Sequence, residues 1–128
     1  MLVSSWATTF DRTHTSKRKK MKTLNLDFLN EQFDYDEECI SEILDIFVES
    51  ADETVSLIKE ALETKNEENL AAYTHKLKGA AGTVGAEVLS NQCLVVDKLC
   101  KDHKFAEALA EATNIPDLYK ELRTVITD

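Results

Sequence analysis

Residues 36–64 read DEECISEILDIFVESADETVSLIKEALET, and their apolar side chains recur at spacings of three and four: Ile40, Ile43, Leu44, Phe47, Val48, Ala51, Val55, Ile58, Leu62. A strand would alternate every second residue; this stripe holds a 3.6-residue period without a break, which predicts one long amphipathic helix. Asp36, Glu37 and Glu38 suit the positive end of its dipole. Lys65-Asn66 is the turn, with Asn66 placed to cap a third helix from Glu67 to about Val84, and Gly85 fits a left-handed position that ends it. A fourth helix, roughly Ala86 to Asp102, carries a broad apolar face of Val88, Leu89, Cys93, Val96, Leu99 and Cys100. A fifth begins near Lys104. Pro116 should kink or restart it, because proline lacks the amide and crowds the carbonyl four residues back. Leu118, Leu122, Val125 and Ile126 resume the stripe. Upstream, Leu24, Leu26, Phe28, Leu29 and Phe33 predict a short first helix, with Asp27 placed to cap it. Connections this short imply an all-α fold: an antiparallel up-and-down four-helix bundle with a short extra N-terminal helix.

Composition agrees. A chain of 128 residues with 43% hydrophobic content can bury one core, and a single proline with three glycines favours helices over a sheet. The net charge of −9 is unevenly placed, since residues 1–20 hold five basic side chains against one acidic. The remainder is strongly acidic, which argues against nucleic acid binding through the fold. Residues 1–23 are expected to be a disordered basic extension around Lys17-Arg18-Lys19-Lys20, with residues 24–128 as the bundle domain and Met21 a candidate start of the functional chain. No apolar run approaches the ~20 residues of a membrane span, and the opening MLVSSWATTF lacks the charged start of a signal peptide. Cys39, Cys93 and Cys100 are odd in number with apolar neighbours at helical spacing. They predict reduced, buried thiols and a cytoplasmic protein.

All three glycines fall within THKLKGAAGTVGA, residues 74–86, where the pattern reads as helix. A glycine inside a helix costs roughly 0.5–1 kcal/mol relative to alanine. At ~100° per residue, Leu70, Tyr73, Leu77, Ala80, Ala81 and Val84 gather on the side opposite His75 and form a core stripe. Glu68, Ala71, Ala72, Lys78, Gly79 and Gly82 share the histidine's side. The imidazole therefore stands away from the core among small residues and one lysine. No serine or cysteine is arranged for it to activate, but imidazole is itself a nucleophile. An uncharged imidazole keeps a free lone pair on one ring nitrogen. Attack on a phosphoryl group needs in-line approach by its carrier. If that carrier is a protein, small neighbours admit it where bulky ones would not. Lys78, one turn along, can offset the charge of an attached phosphate.

The run from His75 to Ala86, HKLKGAAGTVGA, resembles the signature of histidine-containing phosphotransfer (HPt) domains of two-component phosphorelays. That pattern is a histidine, any residue, an aliphatic, a lysine, a glycine, two small residues, then an aliphatic and a glycine nearby. The likeness extends over about residues 24–128. It implies that His75 is the phosphorylated residue, with Lys78 and Gly79 as supporting neighbours and Glu68, Ala71, Ala72 and Gly82 on the docking face. Asp97 sits where relatives often carry Glu or Gln on the next helix, near the histidine, against the plainer reading of a solvated surface acid. The implied partners are response-regulator receiver domains and a hybrid sensor histidine kinase. The phosphoryl group would pass in either direction, the chain would be a monomer, and it would need no metal or cofactor of its own, because the magnesium belongs to the receiver.

Three rivals remain open at this point. A metal-holding bundle would need inward Glu-x-x-His pairs, and none occurs; Cys100 and His103 have ligand-like spacing but supply only two ligands. A non-catalytic adaptor could bind a receiver without carrying phosphate, although such a degenerate relative would be expected to have lost His75. The basic leader could touch nucleic acid. A kinase is disfavoured, since there is no GxxxxGK[ST] loop and no Gly-rich nucleotide lid.

Overall fold

The computed structural model describes residues 24–127, so the expected basic extension over residues 1–23 lies outside the described residues. The helices run α1 (Leu26–Gln32), α2 (Glu37–Thr64), α3 (Glu67–Thr83), α4 (Glu87–Lys101), α5 (Phe105–Ala112) and α6 (Ile115–Thr127). Helix α2 is the long element expected, 28 residues capped by the Asp36 side chain, which accepts a hydrogen bond from the Cys39 amide. Its stripe from Ile40 to Ala61 is buried, with Ile43 and Leu62 partly so. Asn66 caps α3 by accepting from the Asn69 amide. The fourth arm of the bundle is broken after Ala112 and restarts at Ile115, putting Pro116 in the first turn of α6, where its missing amide has no partner to lose.

Four helices end by one device. Asp34 (φ 53°), Lys65 (φ 53°), Gly85 (φ 76°) and His103 (φ 61°) are left-handed, and each is followed by an amide that reaches back five residues, to Asn30, Ala61, Ala81 and Leu99. His103 is thus the stop of α4, and its spacing from Cys100 is the spacing of a helix end. Among the described residues no group of three or more His, Cys, Asp and Glu gathers that could hold a metal ion.

Adjacent helices pack as α2 on α3, α3 on α4 and α4 on α5, while α6 closes the bundle against α2 and α4. At the closing seam Tyr119 is buried, packs edge-on against Phe47 with ring centroids 6.4 Å apart, and donates its hydroxyl proton to Asp52, with the Val48 carbonyl 3.2 Å away. Arg123 adds a two-pronged contact to the same carboxylate, 2.9 Å from Nε and 3.3 Å from Nη2. Burial and the Asp52 hydrogen bond both push the Tyr119 hydroxyl well above its ordinary range, so it stays a donor.

Helix α1 lies across the α3–α4 corner. The expected cap is corrected here: Asn25, and not Asp27, accepts from the Phe28 amide, and Asp27 is an exposed acid inside the first turn. Asn25 also donates its own amide to the Gly85 carbonyl at 2.8 Å and its side-chain nitrogen to Glu87 at 3.0 Å. Gly85 is thereby locked twice. Its φ is one L residues rarely adopt, and an added Cβ would lie 2.9 Å from the Phe28 ring and 3.2 Å from the Asn25 carbonyl. Gly85→Ala is expected to lower the melting temperature by roughly 5–10 °C in thermal circular dichroism, from about 1–2 kcal/mol of backbone strain plus the clash. An unchanged melting point would show that the corner relaxes freely.

Two further sequence expectations need adjusting. Cys93 and Cys100 are buried free thiols, but Cys39 is only half-buried at the start of α2. Val88, assigned to the core face of α4, is 37% exposed and lines a surface hollow with Asn114 and Leu118 at the restart of α6.

Candidate functional site

Helix α3 presents the site because its two faces differ so sharply. Leu70, Thr74, Leu77 and Ala81 are fully covered, while His75 projects from the other side with 63% of its side chain exposed. Thr74, the residue before it, is a buried polar group that stays satisfied inside the helix, donating to the Leu70 carbonyl at 2.8 Å. On the exposed side Gly79 does what the spacing suggested. A Cβ built there meets nothing within 4 Å, so the glycine makes no close packing contact and leaves bare surface one turn beyond the imidazole. Gly82 is exposed too but lies towards α4, where an added Cβ would meet the Ser90 hydroxyl at 3.6 Å, an ordinary contact. Ser90 in turn donates to the Lys78 carbonyl at 3.2 Å and pins α3 to α4 beside the site.

Asp97 is the residue that assembles the rest. It is not a solvated surface acid: it is 3% exposed, sunk between α4 and α3. One of its oxygens, Oδ2, receives Lys78 Nζ at 3.0 Å and Lys101 Nζ at 3.1 Å, and faces His75 Nδ1 at 3.6 Å. Burial alone would push the Asp97 carboxyl up; hydrogen bonds from Lys78 and Lys101, with their charges, outweigh it and hold the group below the ordinary carboxylate value. It is therefore a fixed anion behind the imidazole. With Nδ1 turned to that anion, the outward edge of the ring carries Nε2. A separation of 3.6 Å is just beyond a direct hydrogen bond.

Beside the ring a shallow concavity of about 490 Å³ is floored by Ala71, Ala72 and Cys100 and edged by Glu67, Glu68 and Lys101. Three of the four residues expected on the docking face, Glu68, Ala71 and Ala72, therefore line one surface with His75, while Gly82 sits apart from it. Sequence reasoning missed Lys101 and Ser90. Neither thiol nearby is a rival nucleophile, because burial, helped by Asp97, pushes the Cys93 thiol up to about 12 and burial also raises Cys100.

The arrangement is an exposed imidazole on a cleared helix face, backed by one buried carboxylate and two lysines. The family model described as the Hpt domain matches residues 42–125 of the chain. The chain belongs to the Hpt domain family. Among curated proteins, it is 41% identical over 61 residues to the phosphorelay intermediate protein YPD1 of Candida albicans, covering 47% of this chain and 33% of that protein. It is 32% identical over 65 residues to histidine-containing phosphotransfer protein 2 of Oryza sativa subsp. japonica, covering 49% and 44%. The protein of the same name from Arabidopsis thaliana is 26% identical over 112 residues, 79% of this chain and 72% of that one. The matches to the first two span under half of the length of those relatives. A solved structure of a rice histidine-containing phosphotransfer protein superposes with a TM-score of 0.58 over 98% of this chain and 94% of that one; at 23% identity it establishes the Hpt fold. Among the described residues of this Hpt domain, no helix is long and apolar enough to cross a membrane.

Proposed function

We propose that this Hpt domain is a phosphorelay carrier, which accepts a phosphoryl group on His75 from the aspartyl phosphate of a receiver domain and returns it to, or passes it on to, another receiver aspartate. The observation that carries the reading is the His75 ring, exposed on the helix surface while its Nδ1 faces the buried Asp97 carboxylate. In the uncharged imidazole, Asp97 favours the tautomer whose proton sits on Nδ1, which leaves the Nε2 lone pair pointing outward. Nε2 attacks phosphorus in line. The N–P bond forms as the acyl O–P bond breaks, and the partner's aspartate leaves as a carboxylate. The positive charge that develops on the ring is met by Asp97, and the phosphoryl oxygens come to lie near Lys78. The reverse sequence returns the group, so net flux follows which receiver is charged.

Lys78 is held for this role. Its side chain is only 25% exposed, and the bond to Asp97 fixes the ammonium one turn from the histidine. The test is incubation with a receiver domain carrying labelled aspartyl phosphate, followed by scoring of acid-labile label on the chain. Lys78→Ala is expected to slow uptake roughly tenfold, the worth of one charge-assisted contact, with the fold retained. An unchanged rate would assign the lysine to holding Asp97 alone. Tight receiver binding with no label on the wild-type chain would instead support the adaptor reading.

A further inference from the structure

Lys101 is assigned no part in the reaction above, yet its ammonium shares the Asp97 oxygen that faces His75. We infer that Lys101 is a second phosphate-binding cation of the His75 site, parked on Asp97 while the histidine is bare and released to the phosphoryl group when it is charged. This inference rests on His75 being the phosphoryl acceptor.

The two lysines are not equivalent. Lys78 reaches Asp97 from α3 and is mostly covered, whereas the Lys101 side chain is 65% exposed, on the last residue of α4. A buried carboxylate stripped of its partners is costly, because its lost hydration is replaced by nothing. If Lys78 leaves, Asp97 loses its more deeply set cation. If Lys101 leaves, Lys78 still pairs Asp97 at 3.0 Å, so the buried anion stays compensated. Lys101 is therefore the cation that can move at little cost, and its four-carbon stem needs only side-chain rotation to do so.

Its destination is set by position. Lys101 and His75 both line the concavity beside the ring, and a single oxygen lies 3.1 Å from one and 3.6 Å from the other. A phosphoryl group on Nε2 brings a dianion into that space, a stronger attractor for an exposed ammonium than a carboxylate that already has another partner. Glu67 and Glu68 edge the same concavity, so with Asp97 three carboxylates lie around the two lysines, and a phosphoryl group on His75 must draw Lys101 by proximity rather than by any net positive charge of the site.

The test needs a donor with no protein surface, so that site chemistry and docking separate. Phosphoramidate serves: Nε2 attacks phosphorus, the donor's P–N bond breaks and ammonia leaves. Lys101→Ala is expected to slow uptake onto His75 roughly tenfold with phosphoramidate and with a charged receiver alike, with Lys101→Arg restoring at least half of the rate. Lys101→Ala is also expected to shorten the lifetime of the phosphohistidine, since a cation beside the phosphoryl group discourages ring protonation. A rate lowered only with the receiver would place Lys101 in partner docking and overturn the inference, as would unchanged rates and lifetime with both donors. Absence of label from the wild-type chain itself would overturn the His75 reading and this inference together.

Discussion

His75→Gln is expected to take up no acid-labile phosphate from any charged receiver, while its helical circular dichroism and melting temperature stay within error of the wild type. The loss is total because the Gln amide nitrogen has its lone pair delocalised into the carbonyl and cannot attack phosphorus. No other group on this face can substitute: Cys93 and Cys100 are buried thiols that burial pushes up, Cys93 to about 12, and Thr74 is buried with its hydroxyl committed to the helix. The fold should not notice, since the ring is 63% exposed and its nearest polar contact, 3.6 Å from Asp97, is looser than either lysine bond to that carboxylate. The remaining described histidine, His103, is exposed in the left-handed stop of α4 with no buried carboxylate behind it. Label persisting on His103 in the variant would show that any exposed imidazole suffices, and the Asp97 arrangement would lose its meaning.

Gly79→Leu separates chemistry from docking. Helix interiors favour leucine over glycine by about 0.5–1 kcal/mol, and the Cβ enters open space, so the variant should be as stable as the wild type or slightly more so. Its phosphoramidate uptake should change less than about threefold, because a small donor passes a single isobutyl group. Transfer from a charged receiver should fall by roughly a hundredfold or more, since in-line attack tolerates little displacement of the partner's aspartate. The natural chain gives up helix stability at Gly79 and gains no packing there. That combination is expected of a surface kept clear for a macromolecule. Normal receiver transfer in Gly79→Leu would refute the cleared-surface explanation, and a large loss of stability would show the glycine to be structural.

How much of this could be read in the chain depended on how local the physics was. Helix α2 was legible because its 28 residues repeat one stripe for many turns, so tertiary context had little to add. The stop at Gly85 was legible because glycine is the usual residue at a left-handed cap, whereas the equivalent stop at His103 was hidden under a residue with chemistry of its own. Asn25 was passed over as a cap in favour of Asp27, since what selects Asn25 is its pairing with Gly85 and Glu87, some sixty residues distant. Asp97 shows the boundary most clearly. It follows Val96 directly and lies four residues after Cys93 and three before Cys100, all on the buried side of α4. An acid inside that stripe was a signal that it is covered, and the resemblance placed it near His75, but only the rotation of α4 against α3 reveals that it is buried and paired with Lys78. Lys101 was invisible for the same reason.

The most direct measurement is nitrogen-resolved NMR of the phosphorylated, 15N-labelled chain, following the coupling from phosphorus to the ring of His75. A phosphoryl group bonded to Nε2, with the Nδ1 resonance shifting in Asp97→Asn, is the predicted result. Phosphorus bonded to Nδ1, or carried on any other residue, would contradict it, because the nitrogen facing the buried carboxylate would then be the one that reacts.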